Sequence, residues 1–293
     1  VPESRWLCPA KVNLYLKVLA RRQDGYHELV TVMQPLTLAD ELRLTPGKGL
    51  TLECGHPEVP SGAENLVWRA AQAFAAASQQ EPQVHIELVK NIPVAAGLGG
   101  GSSDAAGTLL ALNELAGYPL DAGALSQLGA ELGADVPFFL RPGPAVGRGI
   151  GTDLTPLDLP PYWYVLCNPG VALSTSWVYR HLNLDTLARG GAPWREAWDG
   201  EHPEDWVAND LATVTLSHFP ELRHLLARLA QAGARTQGLS GSGPTLFGLF
   251  LEAEAARQAA ARVREQFSGW LAVVRGLTQG EGMAGWENQA WII

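Results

Sequence analysis

The densest glycine stretch in the chain is Ile92-Pro93-Val94-Ala95-Ala96-Gly97-Leu98-Gly99-Gly100-Gly101-Ser102-Ser103-Asp104. It follows an alternating segment and runs straight into a helical one. Glycines let a backbone close on an anion, and a helix N-terminus adds unpaired amides and partial positive charge. Ser102 and Ser103 can cap that helix or turn a hydroxyl towards a phosphate or a divalent cation. The spacing excludes the commoner loops. A Walker A loop ends in Gly-Lys-Ser/Thr, whereas Gly101 is followed by Ser102. A dinucleotide fingerprint needs a third glycine where Ser102 stands. Protein-kinase catalytic motifs are absent. The competing interpretation is a flexible surface loop. Pro93, which stiffens the entry, and the immediate helix start count against it.

A second glycine-rich turn, Leu239-Ser240-Gly241-Ser242-Gly243-Pro244, precedes a late strand. It can close over a site or simply form a tight hairpin. His56, His85, His181, His202, His218 and His224 show no metal-ligand spacing. The cysteines, Cys8, Cys54 and Cys167, are odd in number and also lack such spacing, which fits a reduced, cytoplasmic setting. The N-terminal residues do not read as a signal peptide, and no apolar run is long enough to span a membrane. A net charge of -9 without a basic run argues against a nucleic-acid binder. Any positive field for a phosphate must then be local.

The elements that must position these residues follow from periodicity. Strands are expected over 14–19 and 28–36, joined by a turn at Asp24-Gly25. Residues 41–44 and 50–53 read as a further hairpin, 64–77 as a helix and 84–88 as a half-buried strand. A long helix runs from the glycine loop to about Leu115, and another from 122 to 132 with Gly133 at its C′ position. Phe138-Phe139-Leu140 then leads into a strand region. Pro160-Pro161 marks the best boundary, giving units 1–158 and 159–293. Beyond it come strands over 162–166, 235–239, 245–251 and 271–277, and a helix over 252–267. Residues 190–205, rich in Gly, Trp and Pro, read as a surface loop. Strands and helices without strict alternation predict an α+β fold.

Three segments in order now resemble one family. Pro9-Ala10-Lys11-Val12-Asn13-Leu14, the loop at 93–103 and the turn at 239–244 are similar to the three motifs of the GHMP small-molecule kinases. Asp24-Gly25-Tyr26-His27, Gly133-Ala134-Asp135-Val136-Pro137 and Asn209-Asp210-Leu211 resemble the branch acting on a cytidine diphosphate-linked methylerythritol. One departure is Val94-Ala95-Ala96, where some relatives carry bulkier or more glycine-rich residues.

The resemblance implies a two-domain α+β GHMP-kinase fold. Its N-terminal βαβ-type domain would bind nucleotide, and its C-terminal domain would be a ferredoxin-like α/β plait. It implies transfer of the ATP γ-phosphate to the 2-hydroxyl of the methylerythritol, in non-mevalonate isoprenoid synthesis. ATP would lie on residues 93–103, with Mg²⁺ whose protein ligands are unassigned; Ser102 and Ser103 are candidates. Asp135 would be the catalytic base and Lys11 would stabilise developing charge. The plain alternatives are an Asp135 bound to nearby amides and an exposed Lys11. Tyr26 and His27 would hold the cytosine, with Tyr179 as a second aromatic; packing alone is the other interpretation for each. Asn13 and Thr175 would contact the substrate, and Asn65 would contact adenine or cap a helix. Another GHMP kinase of the homoserine or mevalonate type, or a nucleotide-binding module without catalysis, are the rival functions. The molecule is expected to be a monomer or weak homodimer, with no nucleic-acid or membrane partner.

Overall fold

The computed structural model describes residues 3–141, 143–193, 195, 197–281 and 291–292. β1 (Ser4–Arg21) and β2 (His27–Pro46) form one long antiparallel hairpin. Its turn is the Asp-Gly pair foreseen from sequence. Gly25 takes φ +88°, and the Tyr26 amide donates to Asp24 Oδ1 at 3.0 Å. Both strands exceed the expected spans. They are buried on both faces for most of their length, so hydrophobic alternation is lost. Register shifts at Pro9/Lys11, Asn13/Tyr15 and Val18/Ala20 break the period further.

β3 (Thr51–Cys54), α1 (Leu66–Ser78) and β4 (Val84–Val89) make a βαβ crossover, with β3 parallel to β4. The hairpin expected over 41–44 and 50–53 therefore does not form. β4 pairs with β2 over Glu41 to Pro46 and takes the edge β3 would have needed. Then come α2 (Gly100–Leu115), α3 (Ala122–Leu132) and α4 (Val136–Phe139). Phe138 and Phe139 end α4, where Pro137 is tolerated near the helix start, and the chain then enters the expected strand region. β5 (Ala145–Gly149) pairs with β2, and β6 (Asp153–Pro156) pairs with β5.

The rest of the chain supplies β7 (Trp163–Asn168), α5 (Thr175–Arg180), α6 (Leu184–Gly190), β8 (Ala208–Asn209), α7 (Ala212–His218) and α8 (Glu221–Gln231). It ends with β9 (Thr236–Leu239), β10 (Leu246–Phe250), α9 (Ala253–Arg264), β11 (Trp270–Arg275) and β12 (Trp291–Ile292). The second sheet runs β12-β11-β7-β10-β9, all antiparallel. β7-α8-β9-β10-α9-β11 is thus a ferredoxin-like plait.

The two sheets share a core. Val12, Leu14 and Tyr15 of β1 pack in one buried cluster with Tyr164, Phe247 and Ala272. β8 crosses over to pair in parallel with β1. Gln34, fully buried, donates to Pro160 O at 3.0 Å and Leu277 O at 3.2 Å and accepts from the Tyr164 hydroxyl at 2.5 Å. The 190–205 stretch keeps to the surface over most of its described residues, but parts of it turn inward. Trp198 meets Tyr15 edge-on at 5.9 Å, and Ala192 is buried. Large indoles lose too much by staying wet.

Candidate active site

The glycine loop follows β4 and opens α2. Gly99 is the N-cap, at φ +75°, and no side chain caps the helix. The Ser103 amide donates to Gly99 O at 2.9 Å, so the ladder starts there. Amides of the first turn are left without intrahelical partners, as an anion site needs. Two glycines are also demanded by packing. At Gly97 (φ +76°) a Cβ would stand 2.4 Å from Ser240 O, and at Gly99 it would stand 2.8 Å from the Phe139 ring. The loop is thus wedged between the late glycine turn and α4. The departing residues Val94-Ala95-Ala96 keep the loop shape, although Ala95 sits at φ +51°.

β1 places Lys11 beneath this loop, its amide donating to Leu98 O at 2.9 Å. Lys11 is 3% exposed, which excludes the exposed-lysine alternative. Its Nζ donates to Asn13 Oδ1 and, at 3.1 Å, to Gly97 O. It lies 3.7 Å from Asp135 Oδ2, an ion pair rather than a hydrogen bond. Burial lowers the Lys11 ammonium from its ordinary value, and the Asp135 charge partly opposes that. Asn13 is itself oriented: its Nδ2 donates to Thr31 Oγ1 at 2.9 Å, and that hydroxyl donates to Tyr15 O at 2.8 Å. Asp135 stands at the start of α4 yet does not cap it, and its side chain remains 41% exposed. The bland interpretation of Asp135 as a ligand of nearby amides is thereby removed.

The late glycine turn reaches in from the second sheet. Ser240 Oγ donates to Gly97 O at 2.9 Å, and the Thr245 amide meets Ala96 O at 3.3 Å. Asn209 grips this turn through Nδ2, at 2.8 Å from Leu239 O and 2.7 Å from Gly241 O. Asp210, fully buried, accepts from the Val18 amide at 2.8 Å and from the Ala192 amide. The sequence showed the Asn209-Asp210-Leu211 segment without a role; the structure makes it a fastener between the two sheets. Thr175 Oγ1 and Ser242 Oγ share a hydrogen bond of 2.8 Å across the same seam. Thr31 was not singled out by sequence, and Ser240 and Ser242 stood in the quoted turn without these contacts, because the partners of all three are more than 15 residues away.

A single cavity of about 940 Å³ runs over all of this. Its lining includes Lys11, Asn13, Asp135, Thr175, the loop residues Pro93 to Gly97 and Gly99 to Ser102, and Asn65. Asn65 is chiefly a helix cap, its Oδ1 accepting from Val67 N at 2.8 Å and its Nδ2 donating to Pro60 O at 2.7 Å. Tyr26, His27 and Tyr179 line the other end. Tyr26 is 58% exposed, while His27 and Tyr179 stack on each other with centroids 5.0 Å apart and planes at 29°. Burial, then Arg21, lowers the His27 imidazole, and burial, then the Asp135 charge, raises the Tyr179 phenol. Among the described residues no group of three or more His, Cys, Asp or Glu side chains could hold a metal.

Residues 65–143 match the GHMP kinases N terminal domain, and residues 194–269 match GHMP kinases C terminal. The chain belongs to the GHMP kinase family. Its relatives in Geobacter metallireducens and Syntrophotalea carbinolica are named 4-diphosphocytidyl-2-C-methyl-D-erythritol kinase. The first is 46% identical over 92% of this chain and 97% of its own, the second 44% over 91% and 96%. A crystal structure of a 4-(cytidine 5'-diphospho)-2C-methyl-D-erythritol kinase superposes with TM-score 0.75 at 41% identity, covering 93% of this chain and 99% of that one. A homoserine kinase from Cytophaga hutchinsonii, 19% identical, gives TM-score 0.73 over 99% of this chain and 97% of its own and shares the fold.

Proposed function

We propose that this chain transfers the γ-phosphate of ATP to the 2-hydroxyl of 4-diphosphocytidyl-2-C-methyl-D-erythritol, giving the 2-phosphate and ADP, a step of non-mevalonate isoprenoid synthesis. The observation that carries the reading is the Lys11–Asp135 pair, 3.7 Å apart between the glycine loop and the aromatic end of one cavity. The acceptor is a tertiary alcohol, a poor nucleophile. Asp135, uncapped and open to the cavity, takes the hydroxyl proton as the oxygen bonds to the γ-phosphorus and the bond to the ADP oxygen breaks. Lys11, fixed by Asn13 and Gly97, offers a positive charge to the developing alkoxide and the phosphoryl oxygens.

The first-turn amides of α2 hold the phosphates. Mg²⁺ bound with the nucleotide neutralises phosphate charge. Ser102 lies on the lining, and Ser103 Oγ is buried without a hydrogen-bond partner among the described residues, so these hydroxyls fit such an ion. Tyr26, His27 and Tyr179 receive the cytosine, and Asn13 and Thr175 meet the polyol. Asn65 borders the adenine end while capping α1. The division at 158/159 is in this reading not one of tasks, since the late turn completes the loop, and β8 crosses it to join the first sheet. No helix among the described residues is long and apolar enough to cross a membrane, which suits a cytoplasmic enzyme.

The test is ADP release with ATP and Mg²⁺ against a panel of the cytidylyl substrate, homoserine, mevalonate and galactose. Turnover on the cytidylyl substrate alone is expected. Turnover on another panel member would discard the substrate and the aromatic assignments. Nucleotide binding with no turnover at all would leave a non-catalytic module.

A further inference from the structure

Just under the glycine loop lies an ion cluster that the mechanism above does not use. Lys90, at the loop entry, has a side chain 6% exposed. Its Nζ donates to Asp40 Oδ2 and, at 2.7 Å, to Asp104 Oδ2. Asp40 comes from β2 and is fully buried; Asp104 lies in the first turns of α2 and is 2% exposed. The other oxygen of Asp40 accepts the amides of Asn91 at 2.6 Å and Ile92 at 2.8 Å. A Cβ on Gly100 would stand 3.2 Å from Asp40 Oδ2, so the same carboxylate also abuts the start of α2. The chain leaves this cluster at Ile92, makes the loop, and returns to it at Asp104.

We infer that Lys90, Asp40 and Asp104 are positioning residues that clamp the two ends of the phosphate loop together and so set its fit to a nucleotide. The inference rests on the nucleotide-binding role proposed for that loop. Burial by itself would lower the Lys90 ammonium, but Asp104 and Asp40 more than offset this and hold it raised. A loop anchored at both ends is pre-ordered, and a displacement of about 1 Å in such a cradle can cost on the order of a hundredfold in rate.

The experiment compares Asp104→Leu with Asp104→Asn in the full chain. It reads Kd for a non-hydrolysable ATP analogue by calorimetry, KM for both substrates, and Tm. Asp104→Leu leaves a balanced Lys90–Asp40 pair but frees the α2 end; it should raise the nucleotide Kd and KM about tenfold and leave the cytidylyl KM within about twofold. Asp104→Asn, which keeps the side-chain size and an oxygen that accepts from Lys90, should bring nucleotide affinity back to within about threefold of wild type. Unchanged or tighter nucleotide binding in Asp104→Leu would overturn the clamp, the tighter result making Lys90 a direct phosphate ligand. An equal rise in both KM values with no rescue by Asp104→Asn would reduce the cluster to fold maintenance. Should Asp104→Leu not fold, Lys90→Gln combined with Asp104→Asn gives the same reading, with unchanged nucleotide Kd again overturning it. Wild-type protein that fails to bind the analogue would instead sink the loop assignment on which the inference rests.

Discussion

At one end of the cavity Lys11 is 3% exposed and tied to Asn13, to Gly97 O and to Asp135. At the other, Tyr26 stands 58% exposed and His27 rests on Tyr179 by ring stacking. The first end is built from backbone and short polar side chains that three distant segments lock against one another. The second is built from aromatic faces on a hairpin turn and a six-residue helix. Under the proposed assignment, the contrast teaches that chemistry and base recognition would be carried by regions of different stiffness. Damage at the rigid end should fall on kcat or on the fold, and damage at the open end on KM.

The largest effect is expected at Asp135. Asp135→Ala should lower kcat about a thousandfold with little change in Tm, measured by quenched single-turnover phosphoryl transfer. Next is Gly97→Ala, which places a Cβ 2.4 Å from Ser240 O at a left-handed φ. It should destabilise the protein by roughly 3 kcal/mol, read by urea unfolding, and reduce turnover with it. A fully stable Gly97→Ala would show that the two glycine turns are not wedged. At the open end, Tyr179→Ala should raise the cytidylyl KM about tenfold and leave the ATP KM alone, in line with the worth of one stacking contact.

The smallest effect concerns pH. His27 is held below its ordinary 6.5, chiefly by burial, so it is neutral at and above that value. The folded state then binds this proton less readily than the unfolded one. Its contribution to stability is complete above 6.5 and is lost as pH falls from there to the folded value. The cytidylyl KM should be flat from pH 8 to 6.5 and rise only below, and His27→Gln should remove that rise.

What the sequence made legible was the rigid end. Gly97, Gly99 and Gly241 take left-handed conformations, and residues of that kind announce themselves by type. Lys11, Asn13 and Asp135 stood inside recognisable segments. What stayed hidden depended on pairings across the chain. The split of β2 between β4 and β5, and the parallel β3–β4 pair, follow from which strand claims an edge, not from local pattern. Lys90 and Asp104 read as ordinary charged residues until Asp40, 50 positions before Lys90, is brought beside them. Trp198 looked like loop composition and proved to be packing for Tyr15. The aromatic end was found by type, but the His27–Tyr179 stack was not, since it joins residues 152 positions apart.

The separation of the two ends is tested most directly by a double-mutant cycle on kcat/KM for the cytidylyl substrate, using Asp135→Ala and Tyr26→Ala. Side chains acting independently should lose activity by the product of their separate factors, within about threefold. A double mutant no worse than Asp135→Ala alone, or worse than the product by tenfold or more, would mean that base stacking and phosphoryl transfer are one machine and would contradict the account.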